Sequence, residues 1–291
     1  MSERKSSKIS KGKIILTGIA VLMIVSVSAV TIAGAMMNKN VKKEVEKLFS
    51  SVDNSGEIVT GEALEGLPES VQRWLRSSGA VGQEKTVAVR VKQKALMRLS
   101  EDQSWMPVEA EQYFSVEEPG FIWKARIQAA PMIHIAGRDR YYEGKGNMLI
   151  KPLSLFKVAD SKGEEIDQGS MLRYLAEIMW FPSAALEDYI TWEEIDEDRA
   201  KATMTHKDMV ASGVFTFNDM GEAILFEAER YGEFDGEFRL ETWAIPVREY
   251  QEFEGIRVPA RGEVTWRLEG GDFNWFIFEV QEIRYNDPVS Y

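Results

Sequence analysis

The stretch from Ile14 to Met37, IILTGIAVLMIVSVSAVTIAGAMM, contains no charged side chain. As a helix rising about 1.5 Å per residue, it is long enough to cross a hydrocarbon core of about 30 Å. Arg4, Lys5, Lys8, Lys11 and Lys13 precede it, and only Glu3 opposes them. Basic flanks of this kind stay in the cytoplasm. The expected layout is a cytoplasmic tail over 1–13, a transmembrane anchor over 14–37 and the remainder outside the cytoplasm, in a single-pass protein of the cell membrane. Lys39, Lys42 and Lys43 on the far side pull against that orientation. Ala33-Gly34-Ala35 resembles a signal-peptide cleavage site. The apolar run nevertheless exceeds the about 7–15 residues of a cleaved signal, which favours an uncleaved signal-anchor.

The charge is unevenly placed. Residues 1–47 hold nine of the 35 Lys and Arg and three of the 47 acidic residues, so the rest of the chain carries about −18. A surface of that sign repels nucleic acid and anionic lipid headgroups at long range, and nucleic acid is excluded as a partner. The chain has no cysteine. Disulfides, thiolate metal sites, a cysteine nucleophile and a lipidated cysteine are thereby excluded.

Beyond the anchor, Val41, Val45, Leu48 and Phe49 follow helical spacing, and residues 50–62 (SSVDNSGEIVTGE) suit a linker. Residues 38–62 are therefore expected to be a juxtamembrane helix and linker, and 63–291 the external domain. LPESVQRWLRSSG reads as a short helix with Val71, Trp74 and Leu75 on its apolar face and Gly79 as its stop. TVAVRVKQKALMRL then alternates. Val87, Val89, Val91, Ala95 and Met97 share one face with Gln93 as the exception, and Arg90, Lys92, Lys94 and Arg98 share the other. FIWKARIQA repeats the pattern, with Phe121, Trp123, Ala125 and Ile127 opposite Lys124, Arg126 and Gln128. Further alternating segments and glycine-containing turns continue to Tyr285, for roughly ten antiparallel strands. The predicted fold class is α+β and mainly antiparallel β, a large curved sheet or unclosed barrel lidded by short helices and preceded by one transmembrane helix.

One stretch interrupts the strands. In RYLAEIMWFPSAAL and the residues just before it, Met171, Leu172, Tyr174, Leu175, Ile178 and Met179 share an arc of about 160° on a helical wheel. Arg173 and Glu177 lie opposite, four apart, spaced to form an ion pair. Asp167 or Ser170 is placed to cap the helix, and Pro182 ends it. Trp180 falls off the apolar arc. This spacing predicts a lid on the sheet, with Trp180, Phe181 and Leu175 at the mouth of an apolar pocket and Trp123 and Trp243 as opposite walls.

Motifs for covalent chemistry are missing from the sequence. His134 and His206 lack metal-ligand spacing, no nucleophile elbow, phosphate loop or dinucleotide fingerprint occurs, and the acidic run at 193–198 lacks the form of a calcium loop. Neither cofactor nor metal is expected, and no catalytic residue is assigned.

Several quoted stretches do resemble a known group. LPESVQRWL, the segment from Trp105 to Gln112, GRDRYYEGKGNML, and RYLAEIMWFPSAAL followed by Trp192 look like an uncharacterised, membrane-anchored bacterial family of unknown function with the signature R-Y-L-A-E-x-x-W-F-P-x-A-L. The match covers about residues 67–285. In layout, GVFTFNDMGEAILFEAERY, EGIRVPARGEVTW and the closing FIFEVQEIRYN are similar to LolA-type lipoprotein and lipid carriers. That likeness implies an unclosed barrel whose hollow receives acyl chains, and it transfers no binding residue. The expected role is binding of a lipid or other apolar molecule at the cell envelope without covalent chemistry. Two alternatives stand beside it: a carboxylate-based hydrolase of an envelope polymer, and a structural or sensory domain with a filled core. No protein partner is indicated.

Overall fold

The computed structural model describes residues 11–53 and 56–291. Arg4, Lys5 and Lys8 of the expected basic tail lie outside the described residues, as do Asn54 and Ser55 of the expected linker. Thirteen strands form one antiparallel sheet. The first six are β1 (Ala88–Met97), β2 (Met106–Ser115), β3 (Gly120–Ala130), β4 (Ile133–Tyr142), β5 (Lys145–Pro152) and β6 (Ala159–Ser161). The remaining seven are β7 (Ile190–Asp196), β8 (Arg199–His206), β9 (Met209–Phe217), β10 (Ala223–Phe234), β11 (Glu237–Phe253), β12 (Ile256–Leu268) and β13 (Gly271–Tyr285). Two meanders, β1–β6 and β7–β13, are joined by the pairing of β1 with β13, which leaves β6 and β7 as the free edges of an unclosed barrel.

The alternation read in β1 and β3 sorts onto the two faces of this sheet. Val89, Val91, Phe121, Trp123, Ala125 and Ile127 enter the main core on the concave side. Gln93, the polar exception, is buried there and accepts a hydrogen bond of 3.2 Å from the indole N–H of Trp123. Burial of an amide without such a partner would cost about 1–3 kcal/mol. Gln93 follows a register shift between β1 and β13, which marks a local bulge.

The segment between the two meanders is helical. Helix α3 (Glu164–Glu177) lies on the concave face, packing on β4 and β5 of one half and β8, β9 and β10 of the other. It begins at Glu164, about two turns before its apolar stripe starts at Met171. Gly163 holds the N-cap position without a side-chain cap, and Asp167 instead accepts from the backbone N–H of Gly146 and the ammonium of Lys145. Single 3₁₀ turns at Ile178–Trp180 and Pro182–Leu186 follow. Helix α2 (Glu69–Ser77) closes one end of the core, its buried Trp74 stacked on Phe215 at 5.9 Å. Gly79 ends α2 at φ +79°, where a side chain would meet the carbonyl oxygen of Gly255 at 2.8 Å.

On the convex face, α1 (Lys11–Leu48) and the C-terminal Tyr291 cover a patch of β1–β3. The α1 residues from Gly12 to Ser28 are exposed, whereas Met37, Val41, Val45, Leu48 and the following Phe49 are buried. Val41, Val45, Leu48 and Phe49 pack on Ala88, Tyr113 and Ile122, the apolar residues among the otherwise polar outward positions of β1, β2 and β3. Glu44 receives Arg138 at 3.1 Å and Arg140 at 3.0 Å. Burial disfavours the charged form of the Arg138 guanidinium and lowers its pKa, while the nearby Glu44 carboxylate opposes that shift. The packed body therefore begins well before residue 63. Val59 and Leu64 also belong to the main core, and Val59 pairs through its backbone with Gly82 and Gln83.

A chain starting at Glu57 would expose the patch under α1 and leave the buried Arg138 without its carboxylate. It is expected to be less stable than a chain starting at Met36 by about 3–5 kcal/mol in urea unfolding. Coincident unfolding curves for the two chains would show that the docked half of α1 contributes nothing.

Candidate functional site

A prominent opening lies on the convex face. It is a cleft of about 480 Å³ between α1 and the outer sides of β1–β4. Gly34, Met37 and Asn38 form its helix wall, where a small residue at position 34 lets the helix approach Ser154. Its floor carries Lys92, Lys94, Lys124 and Arg126 against Glu109 and Glu111, with Gln281 beside them. These charges are the outward halves of the period-two patterns in β1, β2 and β3, so adjacent strands bring them side by side. Lys124 pairs with Glu111 at 2.8 Å. Lys94 and Arg126 make no ion pair among the described residues, which leaves a surplus of positive charge. Ala136, His134 and Ser154 complete the cleft. The His134 ring nitrogen Nε2 lies 3.1 Å from Ser154 Oγ. Burial, reinforced by the Arg126 charge, pushes the His134 imidazole below its ordinary pKa.

Among the described residues, the concave side carries the main packed core. A hollow of about 60 Å³ at the edge of α3, bordered by Phe121, Asp139, Gly169, Arg173 and Arg230, has room for one or two waters. Beside it the Arg173 guanidinium donates to Glu177 at 2.8 Å and to Asp139 at 3.0 Å, and stacks about 5 Å from the rings of Phe121 and Trp123. The amide of Gln112 donates a further bond to Glu177 at 2.7 Å. Burial raises the pKa of both Asp139 and Glu177, with Arg173 opposing the shift in each. Arg230 packs over Trp243 and Trp266, donates to Gly169 O, and has its pKa pushed down to about 10 by burial. Two carboxylates sharing one arginine around a space this small anchor α3 to the sheet. A glycoside substrate has no room there.

The five residues expected to line an apolar pocket occupy other places. Leu175 and Phe181 are fully buried, and Phe181 packs on Phe114 at 4.8 Å. Trp180 is 6% exposed, donates its indole N–H to Pro259 O at 3.1 Å and meets Phe278 edge-on. Its offset from the helical arc has a simple cause: the backbone has tightened to a 3₁₀ turn by that point, which re-aims the side chain inward. Trp123 and Trp243 sit under the two arginines. None of the five lines the cleft or the small hollow. Of the two histidines, His134 borders the cleft, while His206 bridges Tyr141 Oη (2.7 Å) and Glu118 (3.0 Å) and so ties β8 to β4 and to the β2–β3 turn. The cleft's basic residues were visible in the sequence as the wet faces of two strands. Nothing in the pattern showed that a helix returns over them.

Two outcomes follow from these contacts. Arg173→Met leaves two carboxylates short of their cation and is expected to cost about 3–5 kcal/mol of folding stability. Exchanging the charges of Arg173 and Glu177 is not expected to restore it, because a glutamate at 173 would face Asp139. Full recovery in the exchanged variant would show that Asp139 is not part of the cluster. For His134, a depressed pKa favours the folded state above the ordinary histidine pKa of about 6.5, and that advantage is lost as pH falls. The stability of the native chain relative to His134→Gln should therefore drop between neutral pH and about pH 5, as read by thermal unfolding across pH. A difference that is flat with pH would mean the imidazole is freely solvated.

No curated protein matches this sequence. Among solved structures, a DUF1329 family protein from Desulfovibrio piger is similar at 10% identity, with 76% of this chain and 93% of that one covered and a TM-score of 0.44. A LolA superfamily protein from Nitrosomonas europaea is similar at 11% identity (75% and 94% covered, TM-score 0.40). A putative outer membrane lipoprotein-sorting protein domain from Vibrio parahaemolyticus is similar at 9% (70% and 87% covered, TM-score 0.39). Likenesses this distant carry no functional meaning for this chain. The family comparison is of another order: it spans residues 57–278, taking in α2, α3, β1 to β12 and the first half of β13. The chain belongs to DUF6544, a family of unknown function.

Proposed function

We propose that this protein is a membrane-anchored binder of an anionic lipid, holding the headgroup in the cleft between α1 and the convex face of the sheet. The observation that carries this reading is the cleft's position. Its helix wall, Gly34 to Asn38, is the end of the apolar run that begins at Ile14. Within the described residues, α1 is the one helix long and apolar enough to cross a bilayer. With α1 in a membrane, the cleft stands at the level of the headgroups. Lys92, Lys94, Lys124 and Arg126 then meet phosphate, and the acyl chains lie along the exposed apolar side of α1. Lys39, Lys42 and Lys43, on the exposed side just beyond, add positive charge at that level. The basic residues ahead of Ile14 support placing the body outside the cytoplasm. The packed core of the concave side, with a hollow of only about 60 Å³ beside α3, argues for this outer cleft over an interior pocket.

The test is lipid retention. Full-length protein extracted into polymer-bounded membrane discs and then exchanged into detergent is examined by native mass spectrometry for bound lipid. An anionic lipid is expected to remain on the native chain. Lys92→Glu, which adds repulsion, and Ala136→Trp, which fills the cleft, should each weaken its rebinding at least tenfold, about 1.4 kcal/mol. Unchanged retention in both variants would exclude the cleft as the site.

A further inference from the structure

We infer that the end of the sheet beside α1 is a membrane-contact surface, on which the body rests on the same bilayer that α1 crosses. The inference rests on the reading of α1 as membrane-spanning.

The first support is a matter of level. A hydrocarbon core of about 30 Å takes up about 20 helical residues, so counted from Ile14 it ends near Ala33. The body already touches the helix there. Ala29, Val30, Ala33 and Gly34 are half-buried, and a side chain at Gly34 would lie 3.9 Å from Ser154 Oγ. Ser154 belongs to the β5–β6 turn. That turn therefore lies at the edge of the hydrocarbon, and any register starting later along α1 submerges it further.

The second support is what the turns at this end carry. The strand register places the β1–β2, β3–β4 and β5–β6 turns together, since Ala95 pairs with Val108, Val108 with Ile127, Ile127 with Ile135, and Ile135 with Pro152. These turns carry exposed apolar side chains, Met132 at 90%, Leu99 at 65%, Val158 at 64% and Phe156 at 63%, and the β1–β2 turn also carries the exposed Glu101 and Asp102. Met132 holds a left-handed backbone, φ 63°, as do Leu153 and Ser154 in the next turn. Such positions ordinarily fall to glycine or asparagine, and a methionine there costs backbone energy to present its side chain outward. Lys94, Arg126 and Lys151 stand on the strands just behind these tips without an ion pair among the described residues. Apolar tips backed by unpaired cations match a bilayer surface containing anionic lipid. At the opposite end of the same strands the turns carry Glu117, Glu118 and Glu143.

The absence of native cysteine makes single-site labelling direct. Full-length chains carrying Leu22→Cys, Met132→Cys, Phe156→Cys or Glu143→Cys are labelled with bimane. They are reconstituted into phosphatidylcholine and phosphatidylglycerol vesicles with or without doxyl-labelled acyl chains. The label is expected to shift to the blue and lose intensity with doxyl lipid at 22, 132 and 156, and to do neither at 143. Quenching at 22 without quenching at 132 and 156 overturns the contact surface while leaving α1 in the membrane. No quenching at 22 overturns the spanning helix and the contact surface with it. In a Val158→Cys chain, adding Met132→Glu and Phe156→Glu should abolish quenching at 158. Those two side chains are exposed, so folding is retained, and persistent quenching at 158 would place the contact elsewhere.

Discussion

A thirteen-stranded sheet with two free edges cannot hold its curvature by backbone hydrogen bonds alone, and the concave placement of α3 is what stabilises the bend. The helix bridges the two meanders at the point where β6 and β7 fail to pair. Its apolar side merges the two half-cores. Its polar side is fixed by Arg173, whose planar guanidinium spans Asp139 on β4 and Glu177 on the helix while lying over two aromatic rings. A lysine in that place could supply the charge but neither the fork nor the stacking. At one end of the barrel, Tyr141, His206 and Glu118 make a second, smaller link between the halves. The interior is committed to holding the bend, and the cleft of about 480 Å³ lies on the outside.

Much of this was legible from residue order. Period-two alternation in β1 and β3 identified both the strands and the faces they turn, and helical spacing identified the buried side of α3. The i, i+4, i+7, i+8 pattern of Val41, Val45, Leu48 and Phe49 coincides with the four residues that pack on the convex face. The strand count was harder. The β3–β4 turn is Pro131-Met132, with the left-handed position taken by methionine, and Lys207 takes it between β8 and β9, so these reversals lack the glycine that marks those at Gly144, Gly221, Gly236 and Gly255. The three-residue β6 is too short to show any period.

The site was less legible, for a reason of geometry. Trp180 looked displaced from the apolar arc because a wheel assumes 100° per residue, and the change to a 3₁₀ turn after Glu177 breaks that assumption. The alternating lysines and arginines of β1 and β3 read as solvent-facing, which is the ordinary meaning of such a pattern. Only the three-dimensional return of α1 over those strands turns a wet face into a lined cleft.

The continuity of α1 has a mechanical consequence. Its apolar stretch and its sheet-docked stretch form one uninterrupted helix, with no swivel between them. Many envelope proteins hang on a flexible stalk and can reach a second membrane or a distant partner. With α1 across a bilayer, this body is instead carried like the head of a fixed mast, turning only with the helix and staying within its own height of the lipid surface. In that setting, a lipid bound by the body would have to arrive sideways through the leaflet or be delivered by a partner that comes to it.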